Sequence, residues 1–334
     1  MKPFPLIRGV RIEEIRWGIL GCGNVTEVKS GPAFQTVPYS SVVAVMRRDV
    51  EKAADYAQRH GVGRWHDSAD ALINDPEVNA VYVATPPGSH CELALKVAAA
   101  GKPCYVEKPM ARNAAECQRM VDAFASAGLP LFVAYYRRGL PHFTEVKSMI
   151  ESGRYGSLLS VRYHFSSGHQ VAGTPDAWRY QPDISGGGLL WDLGSHALDL
   201  FDWWFGPLGS VQGHALKRSE TSPVEELVAM TAVFGTGVSF AGDWSFISQN
   251  KRDRFELEFE HARVTGSVFG PMELRIEAEG GETQILNYSQ PENIQSGLIS
   301  NIVRSLRTGA PALSTGVSAA RTNAVIEQVA GRNR

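Results

Sequence analysis

The chain has 334 residues, enough for two domains that each bury a core of their own. Its 33 Lys and Arg nearly cancel 35 Asp and Glu, with no basic stripe and no acidic tail. That balance excludes nucleic acid and membrane surfaces as expected partners and leaves a small molecule. The four cysteines (Cys22, Cys91, Cys104, Cys117) make no CxxC pair and no zinc-type spacing. Cys22 and Cys104 fall in or beside apolar strands, a usage that fits a reducing cytoplasm. Residues 1–14 carry Lys2, Arg8, Arg11, Glu13 and Glu14, so they lack the apolar core of a signal peptide and read as a tail or strap. No uncharged run approaches the roughly 18–20 residues that a membrane helix needs. The expected location is the cytoplasm.

From Ile15 to about Ile150, short apolar runs alternate with helical patterns, which predicts βαβ units and a parallel sheet. Trp17–Leu20 is the first strand, and Gly21-Cys22-Gly23 turns into a helix. Ser41–Met46 is the second strand, and Asp49 caps a helix that runs to Arg59 and stops before Gly61. Ala80–Thr85 reads as a buried strand. Ser89-His90-Cys91-Glu92 reads as a capping box opening a helix that ends at Gly101. Pro103–Val106 is a further strand, Asn113 with Glu116 makes a second capping box, and Leu131–Tyr135 closes the set. After about residue 156, Leu158–Ser166, Glu226–Phe234, Gly237–Ile247, Arg254–Glu260, Arg263–Phe269 and Met272–Glu279 are strand-like. Short turns such as Gly235-Thr236-Gly237 predict antiparallel pairing among them. Helical stretches cover Leu189 to about Trp204, Ser296–Arg307 and Ser318–Val329. The expected layout is a tail over 1–14, an α/β Rossmann domain over 15–138 and an α+β domain over 139–334. The second domain carries a large, mostly antiparallel open sheet, and its C-terminal helices pack back on the first.

Gly21-x-Gly23-x-x-Thr26 follows a strand and opens a helix, the context that a dinucleotide fingerprint requires. The first glycine permits the tight turn, and the second lets the backbone approach a pyrophosphate at the helix start. Gly21, Gly23, Asn24 and Val25 are the expected cofactor contacts. Thr26 replaces the usual third small residue, and an ordinary strand–helix turn is the alternative that the following βαβ pattern argues against. An NAD site usually places an acid at the tip of the second strand. Here that tip reads Arg47-Arg48-Asp49, and two guanidiniums suit the extra phosphate of NADP. NADP(H) is therefore favoured over NAD(H). The alternative is that the arginines are simply solvated and Asp49 only caps its helix.

Glu107-Lys108-Pro109 sits at the carboxyl end of a predicted parallel strand, where open α/β sheets bind ligands. A partly desolvated lysine there has its pKa lowered towards neutrality and serves as general acid or base. Read in isolation, a surface lysine before a helix-starting proline is the better reading. After Gly186-Gly187-Gly188, Asp192, His196 and Asp199 stand at i, i+4 and i+7 and so line one helical face. A histidine between two acids reads as an oriented proton carrier. A metal site and a structural network are the alternatives: no other ligand cluster joins the trio, and Asp199 suits the structural part.

Taken in order, the glycine turn, Ala84-Thr85-Pro86-x-x-x-His90, Gly101-Lys102-x-x-x-x-Glu107-Lys108-Pro109, Trp178-Arg179, the triple glycine and Asp192-x-x-x-His196 carry a resemblance. The chain resembles the glucose–fructose oxidoreductase, inositol dehydrogenase and rhizopine catabolism (Gfo/Idh/MocA) family from about Ile15 to its end. The resemblance implies that Lys108, Asp192 and His196 form the catalytic trio, with Lys108 and His196 handling the substrate hydroxyl proton. It implies a cis bond before Pro109 that aims Lys108 at the nicotinamide. Thr85, Pro86, His90 and Glu107 would line the cofactor, and Trp178-Arg179 would reach over it. Tyr136 and Arg137 match a stretch that shapes the sugar pocket, although Tyr136 stands where many relatives have a smaller polar residue. The open sheet face often makes a homodimer or homotetramer. The implied activity is hydride transfer between NAD(P)(H) and a carbinol or carbonyl carbon of a sugar, polyol or related cyclic diol, with no metal. Two other activities occur in such relatives. One is glycoside cleavage by oxidation, elimination and re-reduction; the other is non-catalytic cofactor sensing, usually after loss of the lysine or histidine, both of which are present here. The substrate itself is open, and His164, His169, Tyr163 and Asp183 are unranked candidates for facing it.

Overall fold

The computed structural model describes residues 11–168, 178–220 and 222–331. It divides into two compact units that interleave along the chain. The first takes the chain to Ala111, then Ala115–Gly139 and Pro291–Ala320; the second takes Arg112–Ala114, Leu140–Gln290 and the chain from Arg321 onward.

In the first unit, strands alternate with helices: β1 (Ile15–Leu20), α1 (Asn24–Val28), α2 (Gly31–Thr36), β2 (Ser40–Met46), α3 (Val50–His60), β3 (Arg64–His66), α4 (Ala69–Ile73), β4 (Ala80–Val83), α5 (His90–Ala99), β5 (Cys104–Val106), α6 (Ala114–Ala127) and β6 (Leu131–Val133). The six strands are all parallel in the order β3-β2-β1-β4-β5-β6. The order reverses between β1 and β4, which opens a crevice at their carboxyl ends. The sheet is apolar because it is covered on both sides: β4, β5 and β6 are buried at every residue. Below it, Trp17, Phe34, Tyr82 and Tyr105 pack ring against ring, with centroids 4.9 Å apart for Trp17–Phe34 and for Tyr82–Tyr105. All four cysteines are buried and outside any disulfide, and burial pushes the Cys22 thiol up to about 11.

The second unit contains α7 (Pro141–Ser152), β7 (Leu158–Ser166), α8 (Pro182–Ser185), α9 (Ser195–Phe205), β8 (Leu208–Leu216), β9 (Leu227–Phe234), β10 (Ser239–Ser245), β11 (Arg252–Phe259), β12 (Ala262–Gly266), β13 (Glu273–Ala278) and β14 (Gln284–Asn287). Its eight strands run β14-β13-β12-β11-β7-β10-β9-β8. Every pair is antiparallel except β10 with β7, which is parallel, so the expectation of antiparallel pairing holds with that one correction. Residues along β9 and β10 alternate buried with exposed, which leaves one face open. The other face packs on α9, where Phe201 lies 5.3 Å from Phe240 and 5.5 Å from Tyr163 between ring centroids. The chain then forms α10 (Ser296–Thr308) and α11 (Gly316–Val329). Among the described residues no helix is long and apolar enough to cross a membrane.

Residues 291–320 join the first unit through a close backbone approach. A Cβ on Gly297 would lie 2.3 Å from the Gly139 carbonyl oxygen, and one on Gly139 would lie 2.5 Å from the Leu298 nitrogen. Arg138 donates to the Leu313 carbonyl at 2.7 Å. Gly297→Ala is therefore expected to destabilise the protein by about 1–3 kcal/mol, read as a lower urea midpoint. Gly63→Ala, whose Cβ would meet nothing within 4 Å, is expected to stay within about 0.5 kcal/mol of wild type. An unmoved midpoint for Gly297→Ala would show that the two backbones separate freely.

Candidate active site

At the end of β1 the chain turns at Gly21, whose φ of +90° is strained for any residue with a Cβ; an added Cβ would also lie 2.7 Å from the Thr85 methyl group. Gly23 is different. Its backbone is extended, and a Cβ there would meet only the Gly21 oxygen at 3.9 Å, so packing within the protein does not demand a glycine. The open space over Gly23 is the kind of cradle that a close-lying pyrophosphate fills. Thr26 acts as a local cap, its hydroxyl accepting the Gly23 N–H at 3.0 Å and donating to the Gly23 carbonyl at 2.8 Å. Asn24 and Val25 form the first turn of α1 between these residues. The tightest backbone approach near this turn falls at Gly31, where a Cβ would sit 2.1 Å from the Thr26 oxygen.

Arg47 and Arg48 follow β2 and are exposed. The Arg47 guanidinium leans back over the glycine turn and donates to the Cys22 carbonyl at 3.3 Å. Asp49 is engaged in its own helix: its carboxylate accepts the Lys52 N–H at 3.2 Å and pairs with the Lys52 ammonium at 2.8 Å. Together with the space over Gly23, these residues fit a dinucleotide.

Thr85 is partly exposed and Pro86 exposed just beyond β4. Ser89 does not form the expected capping box, because its hydroxyl donates to Thr85 Oγ1 at 2.7 Å and to the Pro86 carbonyl instead. His90 and Glu107 lie behind this edge rather than on it. His90 is fully buried, with Nε2 2.6 Å from the Thr85 carbonyl and Nδ1 3.1 Å from that of Pro109. Burial pushes its pKa down, while carbonyls facing both nitrogens favour the doubly protonated ring. The buried Glu107 carboxylate accepts the Tyr82 hydroxyl at 2.5 Å, the Gln295 amide at 3.3 Å and the Lys108 N–H at 3.1 Å. Lys108 itself is partly exposed, and the Lys108–Pro109 bond is cis, as the resemblance implied. Tyr136 and Arg137 form a short turn after β6, with the guanidinium 5.3 Å from the Tyr136 ring centroid.

In the second unit each glycine of the triplet has a separate cause. Gly186 has a φ of +86°, and its Cβ would lie 2.3 Å from the Arg112 oxygen. A Cβ on Gly187 would enter the Trp191 ring at 2.1 Å, and one on Gly188 would strike Val224 at 2.6 Å. The chain then makes a π-helical turn over Leu190–Gly194 before α9. The expectation that Asp192, His196 and Asp199 share one face of a regular α-helix is therefore corrected. The wider turn shifts Asp192 relative to the stripe on which His196 and Asp199 lie, and such turns are frequent at functional sites. Asp192 is partly exposed and accepts from Arg179 Nε at 3.1 Å; the Arg179 guanidinium also lies 4.5 Å from the Trp178 ring centroid. His196 is buried, its ring edge-on to Phe269 at 5.8 Å. Phe269 is itself placed by Asp253, which accepts the N–H groups of Val268, Phe269 and Gly270 and the Tyr163 hydroxyl. Asp199 is buried, and its neighbour Asp202 takes Arg321 through both carboxylate oxygens.

Of the unranked candidates, Tyr163 is buried on Asp253, His164 pairs with Asp243 at 2.7 Å on the open sheet face, and Asp183 opens α8, where its carbonyl accepts from Arg112. His169 lies outside the described residues. Gln295, Glu225, Asp253 and Phe269 were absent from the sequence reading, since each meets its partner from a distant part of the chain. Among the described residues no group of three His, Cys, Asp or Glu is arranged to hold a metal ion.

Comparison with known proteins agrees with this fold. A model described as an oxidoreductase family with an NAD-binding Rossmann fold matches residues 15–135, and the GFO/IDH/MocA C-terminal domain matches residues 143–265. Oxidoreductase P35 of Formosa agariphila is 36% identical over 292 residues, covering 86% of this chain and 90% of that protein. Trans-1,2-dihydrobenzene-1,2-diol dehydrogenase of Macaca fuscata fuscata is 32% identical over 218 residues, 65% of this chain and 64% of that protein. A levoglucosan dehydrogenase solved in complex with NADH and levoglucosan shares the fold at a TM-score of 0.85 and 20% identity, covering 96% of this chain and 98% of that one. With both halves matched, this chain belongs to the Gfo/Idh/MocA family of oxidoreductases and is a dehydrogenase or reductase built on an NAD-binding Rossmann fold.

Proposed function

We propose that the enzyme interconverts a hydroxyl and a carbonyl on a sugar, polyol or related cyclic diol, prefers NADP(H), and uses Lys108, Asp192 and His196 for proton handling. The observation that carries this reading is the placement of Lys108. It follows β5 at the carboxyl end of the sheet, beside the β4 end that bears Thr85, with its main chain held by the buried Glu107. The chemistry that a bound nicotinamide ring supplies is hydride exchange with the reacting carbon. Lys108 Nζ or His196 takes the hydroxyl proton in oxidation and returns it in reduction, and Asp192 keeps the histidine ring oriented. The substrate class is supported by two similar proteins, one named for a dihydrodiol and the other bound to an anhydro-sugar. Both names describe ring compounds with neighbouring hydroxyl groups.

The cofactor preference rests on the β2 tip. Two exposed guanidiniums stand there, and the adjacent carboxylate, Asp49, is occupied as a helix cap. A 2′-phosphate placed beside Arg47 and Arg48 gains charge-assisted hydrogen bonds.

Absorbance of the reduced nicotinamide tests the reading, with each cofactor offered against a panel of sugars, keto-sugars, anhydro-sugars, inositols and dihydrodiols. Turnover of at least one member is expected, faster with NADP(H). Lys108→Met is expected to keep cofactor binding while losing about 10²–10⁴ in turnover; near-wild-type turnover would remove Lys108 from the mechanism. Arg47→Asp should weaken NADPH binding far more than NADH binding, and an unchanged ratio would show that the strand tip does not read the phosphate. Gly23→Ala should fold with an unchanged melting temperature yet bind dinucleotide more weakly. A methyl forced into a filled contact costs about 1–3 kcal/mol, roughly 5- to 150-fold in Kd. Equal affinity would mean that no ligand approaches that backbone.

A further inference from the structure

We infer that Glu225 is a positioning residue for the segment that bears Asp192 and His196. Glu225 is buried just ahead of β9, and one carboxylate oxygen, Oε1, accepts two main-chain hydrogen bonds, from Gly188 N–H and Leu190 N–H, each at 3.0 Å. Those two residues connect directly to the reactive stretch. The Gly188 carbonyl accepts the Asp192 N–H at 3.2 Å, and the Leu190 carbonyl accepts the N–H of Ser195, the residue before His196. One carboxylate thus holds both residues whose carbonyls anchor the π-helical turn. Without it, two N–H groups at a buried helix start lose their acceptor.

The anchor is itself rigid. Glu226, the next residue, donates its N–H to the Leu216 carbonyl at 2.9 Å and accepts from Phe246 N–H at 2.9 Å, which fixes the chain between β8 and β10. Ser222 Oγ donates to the Val224 carbonyl at 2.8 Å. Gly188 is fitted to the carboxylate, because a Cβ at that position would lie 2.9 Å from Glu225 Oε1. Glu225 is therefore bound to affect rate through placement: a shift of about 1 Å in a reacting group costs about 10²-fold.

The inference rests on the proposed role of His196, and its test is chosen to be readable without turnover. The cofactor-free full-length protein, labelled at histidine Cε1, is titrated by NMR as wild type, Glu225→Ala, Glu225→Gln and Glu225→Asp, with the His196 signal assigned by His196→Asn. Gln keeps an acceptor oxygen at the same reach, so the Glu225→Gln signal is expected to follow wild type. Ala loses the acceptor and Asp shortens the reach, so both are expected to move the His196 shift and titration midpoint. Should Glu225→Ala fail to fold, Glu225→Asp carries the comparison. An unmoved His196 signal in Glu225→Asp, or a Glu225→Gln spectrum displaced as far as that of Glu225→Asp, would overturn the assignment. Where the wild type turns over a panel substrate, kcat should fall about 10²-fold in Glu225→Ala with KM and cofactor Kd little changed, and Gln should restore it. A wild type without turnover refutes the proposed function and leaves the NMR comparison standing.

Discussion

A buried carboxylate that accepts main-chain N–H is the interaction on which each half of this enzyme depends. In the first unit Glu107 takes the Lys108 N–H, the Tyr82 hydroxyl and the Gln295 amide. In the second, Glu225 takes the N–H groups of Gly188 and Leu190. Burying an anion is costly unless hydrogen bonds replace its water, so each carboxylate is stable only with its donors in place. That requirement makes the surrounding backbone unusually specified. Burial and the neighbouring Glu107 push the Tyr82 phenol well above its usual range, which keeps it a donor to that carboxylate. A residue without an acceptor oxygen in either position leaves the neighbouring peptide groups without a fixed direction.

The pattern of glycines follows from the same need for closeness. Gly21 is demanded by its dihedral angle and by Thr85, Gly187 by an indole ring, and Gly188 by Val224 and the Glu225 oxygen. Gly23 alone among these has open space above it. Three of the four shape the protein against itself; at the fourth, packing among the described residues does not demand a glycine.

Most of the first unit was legible in the sequence because its signals are local. Buried strands are apolar at every position, and helix caps such as Asp49 and Gly61 act within a few residues. What escaped was weak or distant. β3 is a three-residue edge strand of polar and aromatic residues, β14 a four-residue edge, and β8 carries two glycines that blur its alternation. The parallel pairing of β7 with β10 depends on strands more than seventy residues apart. In the site, Lys108, Asp192 and His196 stood out by motif. Their supports did not, because Gln295 reaches Glu107 across 188 residues and Glu225 reaches Gly188 across 37. The widened turn before α9 leaves no mark in a pattern of apolar residues, since Leu190 and Leu193 suit an α-helix equally well.

The interleaving of the two units bears on how the chain matures as it is made. A nascent chain ending at Gln290 contains all six parallel strands yet lacks Gln295, the Thr315 bridge to Phe132 on the edge strand, and Ala319 in the apolar core. Residues 140–290, by contrast, hold the whole of the eight-stranded sheet. Domains usually mature from the amino terminus as synthesis proceeds. Here the first unit to be started is completed only after the whole eight-stranded sheet of the second has been made.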